Sequence, residues 1–384
     1  MLFFDIKNFI QLVIIFNLAI IDKKFSLHPL RIHPFYLPYN SPILLIDESK
    51  KEILMKGRNF LDKCLNFSNN QSYKFIKHPK ITVIIPLYNC EKTIEAAIHS
   101  IQYQNMTEIE ILLINDFSSD NTSALISNFQ KKDFRIKIIN NHRNMGTLYS
   151  RSIAVLISNG EYIFSLDNDD LYFDYDVFDY IYQRGKNENL DIIHFLAVKI
   201  FNYNADISRM KNIFTYQYPD ELYLEQPKLG MWMIKFNGKF FVHNNMIWDK
   251  CIKTQIYKKA VNNLGIQRFS KFLSWAEDTC INFIIFNCAN NFKYINKYGI
   301  AHFKGKYTAS NQQSIDSKIF GDIFFLDIIF DFSKNITEDK NHIVGQALYI
   351  YNRYNITKMN NNSNSYYLKS VLNKIINCIY IKSI

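Results

Sequence analysis

Between residues 81 and 166 the chain alternates short apolar runs with longer amphipathic stretches, and that rhythm restricts its fold more than any other feature. Ile81-Thr82-Val83-Ile84-Ile85 reads as a buried strand stopped by Pro86, and the stretch after it puts Ile94, Ile98 and Ile101 on one helical face. Residues 109–114 give a second strand, closed by the turn Asn115-Asp116-Phe117-Ser118-Ser119-Asp120. Leu125, Ile126 and Phe129 line the helix that follows. A third strand at 135–139 leads into the loop Asn140-Asn141-His142-Arg143-Asn144-Met145-Gly146, and the next helix stops at Asn159-Gly160. Residues 162–166 form a fourth strand. This alternation predicts an α/β domain with a mostly parallel sheet and helices on both faces.

Such sheets bind ligands outside the carboxyl ends of their strands. The fourth strand ends there on Asp167-Asn168-Asp169-Asp170. Three carboxylates so close repel one another unless a cation lies among them. Hard oxygen donors suit Mg²⁺ or Mn²⁺, which need only one or two carboxylates when substrate phosphates complete the shell. The plainer reading is that Asp170 caps a helix beginning at Leu171. Both readings stay open on the residues alone.

The 384 residues, 48% of them apolar, are enough for one large domain or two small ones. A net charge of +10 would suit nucleic acid, but no Lys/Arg block exceeds a pair, so no phosphate-tracking stripe is visible and no nucleic-acid partner is expected. None of the 6 cysteines forms a CxxC pair, which argues against zinc and dithiol chemistry.

Residues 9–21 are an apolar run between Lys7 and Lys23-Lys24, short for a membrane span and suited to a signal-peptide core. Residues 1–25 are therefore expected to be a signal peptide or short signal-anchor, with a buried helix as the alternative. Sequons at Asn66, Asn70, Asn105, Asn121, Asn335, Asn355 and Asn361 fit a secretory (ER/Golgi lumen) or membrane-associated location. Residues 26–80 lack rhythm and read as a stem or appended segment. Residues 311–384 read as a helical extension, with a packing stripe through Tyr367, Leu368, Val371, Leu372, Ile375, Ile376 and Ile379.

Taken in order, Thr82-Val83-Ile84-Ile85-Pro86-Leu87-Tyr88-Asn89, Ile114-Asn115-Asp116, Asn144-Met145-Gly146 with Arg151, Leu166-Asp167-Asn168-Asp169-Asp170, Ile247-Trp248-Asp249-Lys250 and Trp275-Ala276-Glu277-Asp278 form a set. Residues 81–310 thereby resemble an inverting family-two glycosyltransferase of the GT-A fold, a Rossmann-like, mostly parallel sheet flanked by helices. The resemblance implies a metal-dependent enzyme that moves a sugar from a nucleotide donor, UDP-linked, to a glycan or other hydroxyl acceptor. By the same resemblance Pro86 and Tyr88 line the base pocket, Asp116 accepts a hydrogen bond from the nucleoside, and Gly146 lets backbone approach the nucleotide. Arg151 holds the nucleotide side, Asp167 faces the ribose or a metal-bound water, and Asp169 ligates Mn²⁺ or Mg²⁺. His302 meets the metal or the diphosphate, and Asp278 is the general base that takes the acceptor's proton.

Each assignment has a plainer counterpart. Asp116 can be a turn-forming residue, Arg151 a solvated helix arginine, Glu277-Asp278 a helix cap, His302 an ordinary histidine and Trp248 core. The resemblance also puts Trp248 and Lys250 near the acceptor, and Trp275 is suited to stacking on a sugar face. The family's usual motif at the second strand is two acids followed by Gly. Here Asn115 drops a charge, and Phe117 implies a turn that avoids positive φ. A sugar-phosphate nucleotidyltransferase would show a Gly-rich basic loop after the first strand, which Pro86-Leu87-Tyr88-Asn89 is not. A catalytically inactive binding protein of the same fold would be signalled by loss of the acids, yet Asp116, Asp167, Asp169 and Asp278 are all present.

Overall fold

The computed structural model describes residues 48–65, 73–200, 213–214, 221–225, 233–236, 239–242, 246–265 and 276–303, together with residues 273, 321, 324 and 325. In chain order the elements are α1 (Glu48–Leu65), β1 (Ile81–Leu87), α2 (Ile94–Gln102), β2 (Ile109–Asn115), α3 (Thr122–Lys132), β3 (Ile136–Asn140), α4 (Thr147–Ile157) and β4 (Tyr162–Ser165). Then come β5 (Leu171–Tyr172), α5 (Val177–Asn187), β6 (Ile192–Ile200), β7 (Ile213–Phe214), β8 (Tyr223–Glu225), β9 (Met233–Phe236) and β10 (Lys239–Val242). The last are β11 (Lys250–Lys253), α6 (Thr254–Leu264), α7 (Glu277–Cys288) and β12 (Asn291–Phe303).

Backbone contacts divide the chain into two units, one of residues 41–230 with 244–313 and the other of 1–40, 231–243 and 314–384. The first holds a large sheet in the order β3-β2-β1-β4-β11-β6-β12-β5, with β7 beside β6 and β8 beside β12. In the second, β9 and β10 pair as an antiparallel hairpin.

β1 and β2 are buried along their whole length, which is why they read as nearly unbroken apolar runs. β1 is flanked by β2 and β4, both parallel, so the chain runs outward from β1 to β3 and returns on the other side as β4. That reversal makes a switch point at the carboxyl ends of β1 and β4, where open sheets have a crevice. Pairing of β1 with β4 ends at Ile84↔Ser165, while β2 continues beside it to Leu87↔Asn115. Pro86, which has no N–H to give, thus falls where β4 has already left the ladder. At the opposite end Gly160 is required by close approach, because a Cβ there would lie 2.4 Å from the Thr82 nitrogen.

Three departures from the sequence expectations stand out. Glu48–Leu65, within a stretch expected to lack regular structure, is an 18-residue helix with Phe60, Leu61 and Cys64 buried. Leu171–Tyr172 is a strand beside β12, so Asp170 caps no helix. β11 enters the sheet antiparallel to both β4 and β6, which breaks the parallel run. The five described cysteines are buried free thiols. Among the described residues no helix is long and apolar enough to cross a membrane. The apolar run at 9–21, most of the 311–384 extension and Trp275 lie outside the described residues.

Candidate active site

β4 delivers its acids to the switch point. Asp170 N–H donates to the Asp167 carbonyl at 3.1 Å, which folds the acidic stretch into a turn. Asn168 Nδ2 donates to the Pro86 carbonyl at 3.2 Å and ties that turn to the end of β1. Burial raises the Asp167 carboxyl to about 6 against the pull of Arg151, with the charges of Asp278 and Asp169 adding to the rise. Burial also raises Asp169 to about 6, and there the neighbouring Asp170 charge helps while His302 opposes it.

Arg151 joins this turn to α7. It is 1% exposed on α4. Its Nη1 donates to Asp278 Oδ1 at 2.7 Å and its Nη2 to Asp167 Oδ1 at 3.2 Å. A solvated helix arginine is therefore excluded. Asp278 lies in the first turn of α7, where its Oδ2 also accepts from Ile247 N–H at 3.3 Å. The residue before that helix, Ala276, has φ of 62°. Burial first, and then the Asp278 charge, raises the Glu277 carboxyl to about 7.

Asp116 is 4% exposed at the end of β2, and its carboxylate is engaged by the loop after β3. Oδ1 accepts from Asn141 Nδ2 at 2.7 Å and from Met145 N–H at 2.8 Å, while Oδ2 accepts from Gly146 N–H at 2.7 Å. The sequence places Asp116 against a nucleoside; the geometry gives it first the job of fixing the loop that leads into α4. Gly146 has φ of 88° and ψ of 161°, a conformation suited to glycine at the start of that helix. Phe117 contradicts its expectation outright, since its φ is 66°. Ser118 N–H donates to Asn115 Oδ1 at 3.1 Å, and Ser119 N–H to Asn89 Oδ1 at 2.8 Å. These bonds fix the turn around Phe117 despite its side chain. Phe117 and Tyr88 are 58% and 50% exposed, which leaves two aromatic rings open to solvent at the ends of β2 and β1.

His302 arrives on β12. Its Nδ1 pairs with Asp170 at 2.8 Å, and its ring stacks on Trp248 with centroids 4.9 Å apart and planes 12° apart. Burial works against the charged imidazole, but the Asp170 carboxylate outweighs it and raises His302 above its ordinary value. Asp170 Oδ1 also accepts from Phe303 N–H at 2.9 Å. Sequence reasoning weighed Asp170 as one of three carboxylates around a cation or as a helix cap, and missed its role as the clasp between β12 and the acidic turn. It also put Lys250 near the acceptor, whereas Lys250 is 1% exposed and paired with Asp249.

The turn thus gathers Asp167, Asp169 and Asp170 with His302, and Arg151 links Asp167 to Asp278 127 residues further on. Among the described residues no group of three or more His, Cys, Asp or Glu side chains is placed to hold a metal ion by itself. Asp169 of this turn and His302 beside it are the side chains that could contribute to holding a hard divalent cation, whose other ligands would have to come from phosphates and water.

Comparison with known proteins agrees with the geometry. Residues 82–253 match the family model described as Glycosyl transferase family 2. The chain is 27% identical over 244 residues to a cholesterol galactosyltransferase of Borreliella burgdorferi, covering 62% of this chain and 63% of that one. It is 38% identical over 93 residues to the GalNAc(5)-diNAcBac-PP-undecaprenol beta-1,3-glucosyltransferase of Campylobacter jejuni, covering 24% of this chain and 30% of that one. The chain therefore spans less than two thirds of the length of either relative. Crystallised S. aureus TarS 1-349 in complex with UDP-GlcNAc superposes with a TM-score of 0.54 at 18% identity, over 73% of this chain and 74% of that one. At that identity the likeness speaks for the fold, an α/β sheet of the GT-A type.

Proposed function

We propose that this chain, which belongs to glycosyl transferase family 2 through residues 82–253, moves a sugar with inversion from a nucleotide donor, UDP-linked, to a hydroxyl acceptor. The observation that carries this reading is Arg151, which binds the acidic turn and Asp278 at once and so holds a donor-side carboxylate and a candidate base in one frame. Asp169 and His302 would hold Mn²⁺ or Mg²⁺, with Asp170 orienting the imidazole through Nδ1. When bound, that cation offsets the charge that builds on the leaving nucleoside diphosphate. Pro86, Tyr88, Asp116 and Gly146 form the nucleotide side. Asp278 takes the acceptor's proton as the new glycosidic bond forms and the bond from the anomeric carbon to the diphosphate breaks.

The acceptor we propose is a glycan or lipid-carried hydroxyl, and the location is membrane-associated, with residues 9–21 as the attaching segment. Relatives named for undecaprenol-linked acceptors support both. The second reading is a binding protein of the same fold without turnover.

A screen of donor hydrolysis and transfer over a panel of nucleotide sugars, with Mn²⁺ and with chelator, separates the two. Asp169→Asn is expected to abolish turnover and metal-dependent UDP binding. Asp278→Asn is expected to keep UDP binding and cut transfer by at least about a hundredfold. Calorimetry with UDP reads the first effect and steady-state rates the second. UDP binding that is equal in wild type and Asp169→Asn, with and without metal, would remove the metal assignment. Binding without turnover of any donor would favour the second reading.

A further inference from the structure

We propose that the buried ion pair Lys250–Asp249, anchored on His194, is a positioning device that sets Asp278 and His302 through the turn it closes. Lys250, Asp249 and His194 are each 1% exposed, so none of them meets substrate. Lys250 Nζ donates to Asp249 Oδ1 at 2.8 Å and also to the carbonyl of Met246. Asp249 Oδ2 faces His194 Nε2 at 3.2 Å, and its carbonyl accepts from Phe195 N–H at 3.0 Å. Lys250 N–H donates back to the Ile247 carbonyl at 3.3 Å. Residues 246–250 are thus a turn with the lysine side chain laid across its open end, fastened to β6 by the aspartate.

The two residues inside that turn each reach the candidate active site. Ile247 N–H donates to Asp278 Oδ2 at 3.3 Å. Trp248 supplies the plane on which His302 stacks. Taking two charges out of water is costly, and apolar residues of similar volume often hold a fold as well or better; what a buried pair adds in the best-attested cases is a fixed register. Here the register is that of one backbone N–H and one indole ring, and each of them touches a different half of the site.

The kinetic arm of the test rests on the glycosyltransferase reading, whereas the spectroscopic arm does not. Full-length protein labelled with ¹³C at histidine Cε1 gives a His302 resonance that is assigned by its loss in His302→Gln. In the wild type the indole ring displaces that resonance upfield. In Asp249→Asn/Lys250→Met, which removes both charges together, it is expected to move back toward the position of an unstacked histidine at an unchanged melting temperature. With an active donor, kcat should fall by about a hundredfold, the scale of a displacement near 1 Å, and donor KM should rise as well, because His302 is placed on the donor side. Lys250→Gln, which keeps a donor for the Met246 carbonyl, should lie between the two, and it decides the matter should the double variant not fold. A folded variant whose His302 resonance stays in place overturns the proposal. A wild type that turns over no donor removes the functional reading and leaves the spectroscopic result standing.

Discussion

A carboxyl group held above its ordinary value by its own surroundings makes the native state less stable wherever it must ionise. Asp169 is such a group: it is raised to about 6 in the fold from 3.8. Between those values the native state binds more protons than the unfolded one, so stability falls as pH rises from about 4 to about 6 and stays lowered above. Asp169→Asn should therefore stabilise the metal-free protein at pH 7.5, by on the order of 1–2 kcal/mol, and leave it unchanged near pH 4. Urea unfolding at the two pH values checks the sign, and equal stability at pH 7.5 would contradict the burial argument. Arg151 works in the opposite sense, because its guanidinium serves two carboxylates with separate nitrogens. A lysine offers a point charge in place of that planar fork. Arg151→Lys should keep the fold and lose turnover by roughly ten- to a hundredfold, the scale of a misplaced catalytic group. Wild-type rates in that variant would show that the fork is dispensable.

Among the elements, the loop between β3 and α4 carries the clearest local demand. Gly146 combines φ of 88° with the amide that bonds Asp116. Gly146→Ala should cost about 1–3 kcal/mol and weaken UDP binding, read by thermal unfolding and calorimetry on one sample. β1, β2 and β4 were legible because a strand buried on both faces must be largely apolar, and the acidic turn stood out against that background. β11 was not legible: it is four residues long with lysine at each end, and only its pairing with β4 and β6 makes it a strand. Phe117 misled for a similar reason. Its local preference is for negative φ, and bonds made by Ser118 and Ser119 to Asn115 and Asn89 override it. The site residues were recognisable one by one, but their pairings were not. No spacing rule joins Asp170 to a histidine 132 positions away or Arg151 to an aspartate 127 away.

At the scale of the whole molecule, the proposed attachment through residues 9–21 has a direct check. The full chain and a form lacking residues 1–25 are expressed side by side, and membranes are washed with carbonate. The full chain should stay with the membranes and the shortened form should not. Full chain found wholly in the supernatant would discard the attachment.

The long clasp from Asp170 to His302 also bears on how the molecule is made. A ribosome adding about 5–20 residues per second needs on the order of ten seconds to travel from the first partner to the second. Through that interval β1 to β4 can pair, while Asp170 has neither its imidazole nor the Phe303 amide. The crevice at the switch point is then lined by carboxylates that lack their late-arriving partner, and until β11 is made the β4 edge of the sheet is uncovered. Synthesis that stalls within this span leaves a nascent chain with a formed sheet, no working centre and an open edge, which is the species that chaperones bind and proteases remove.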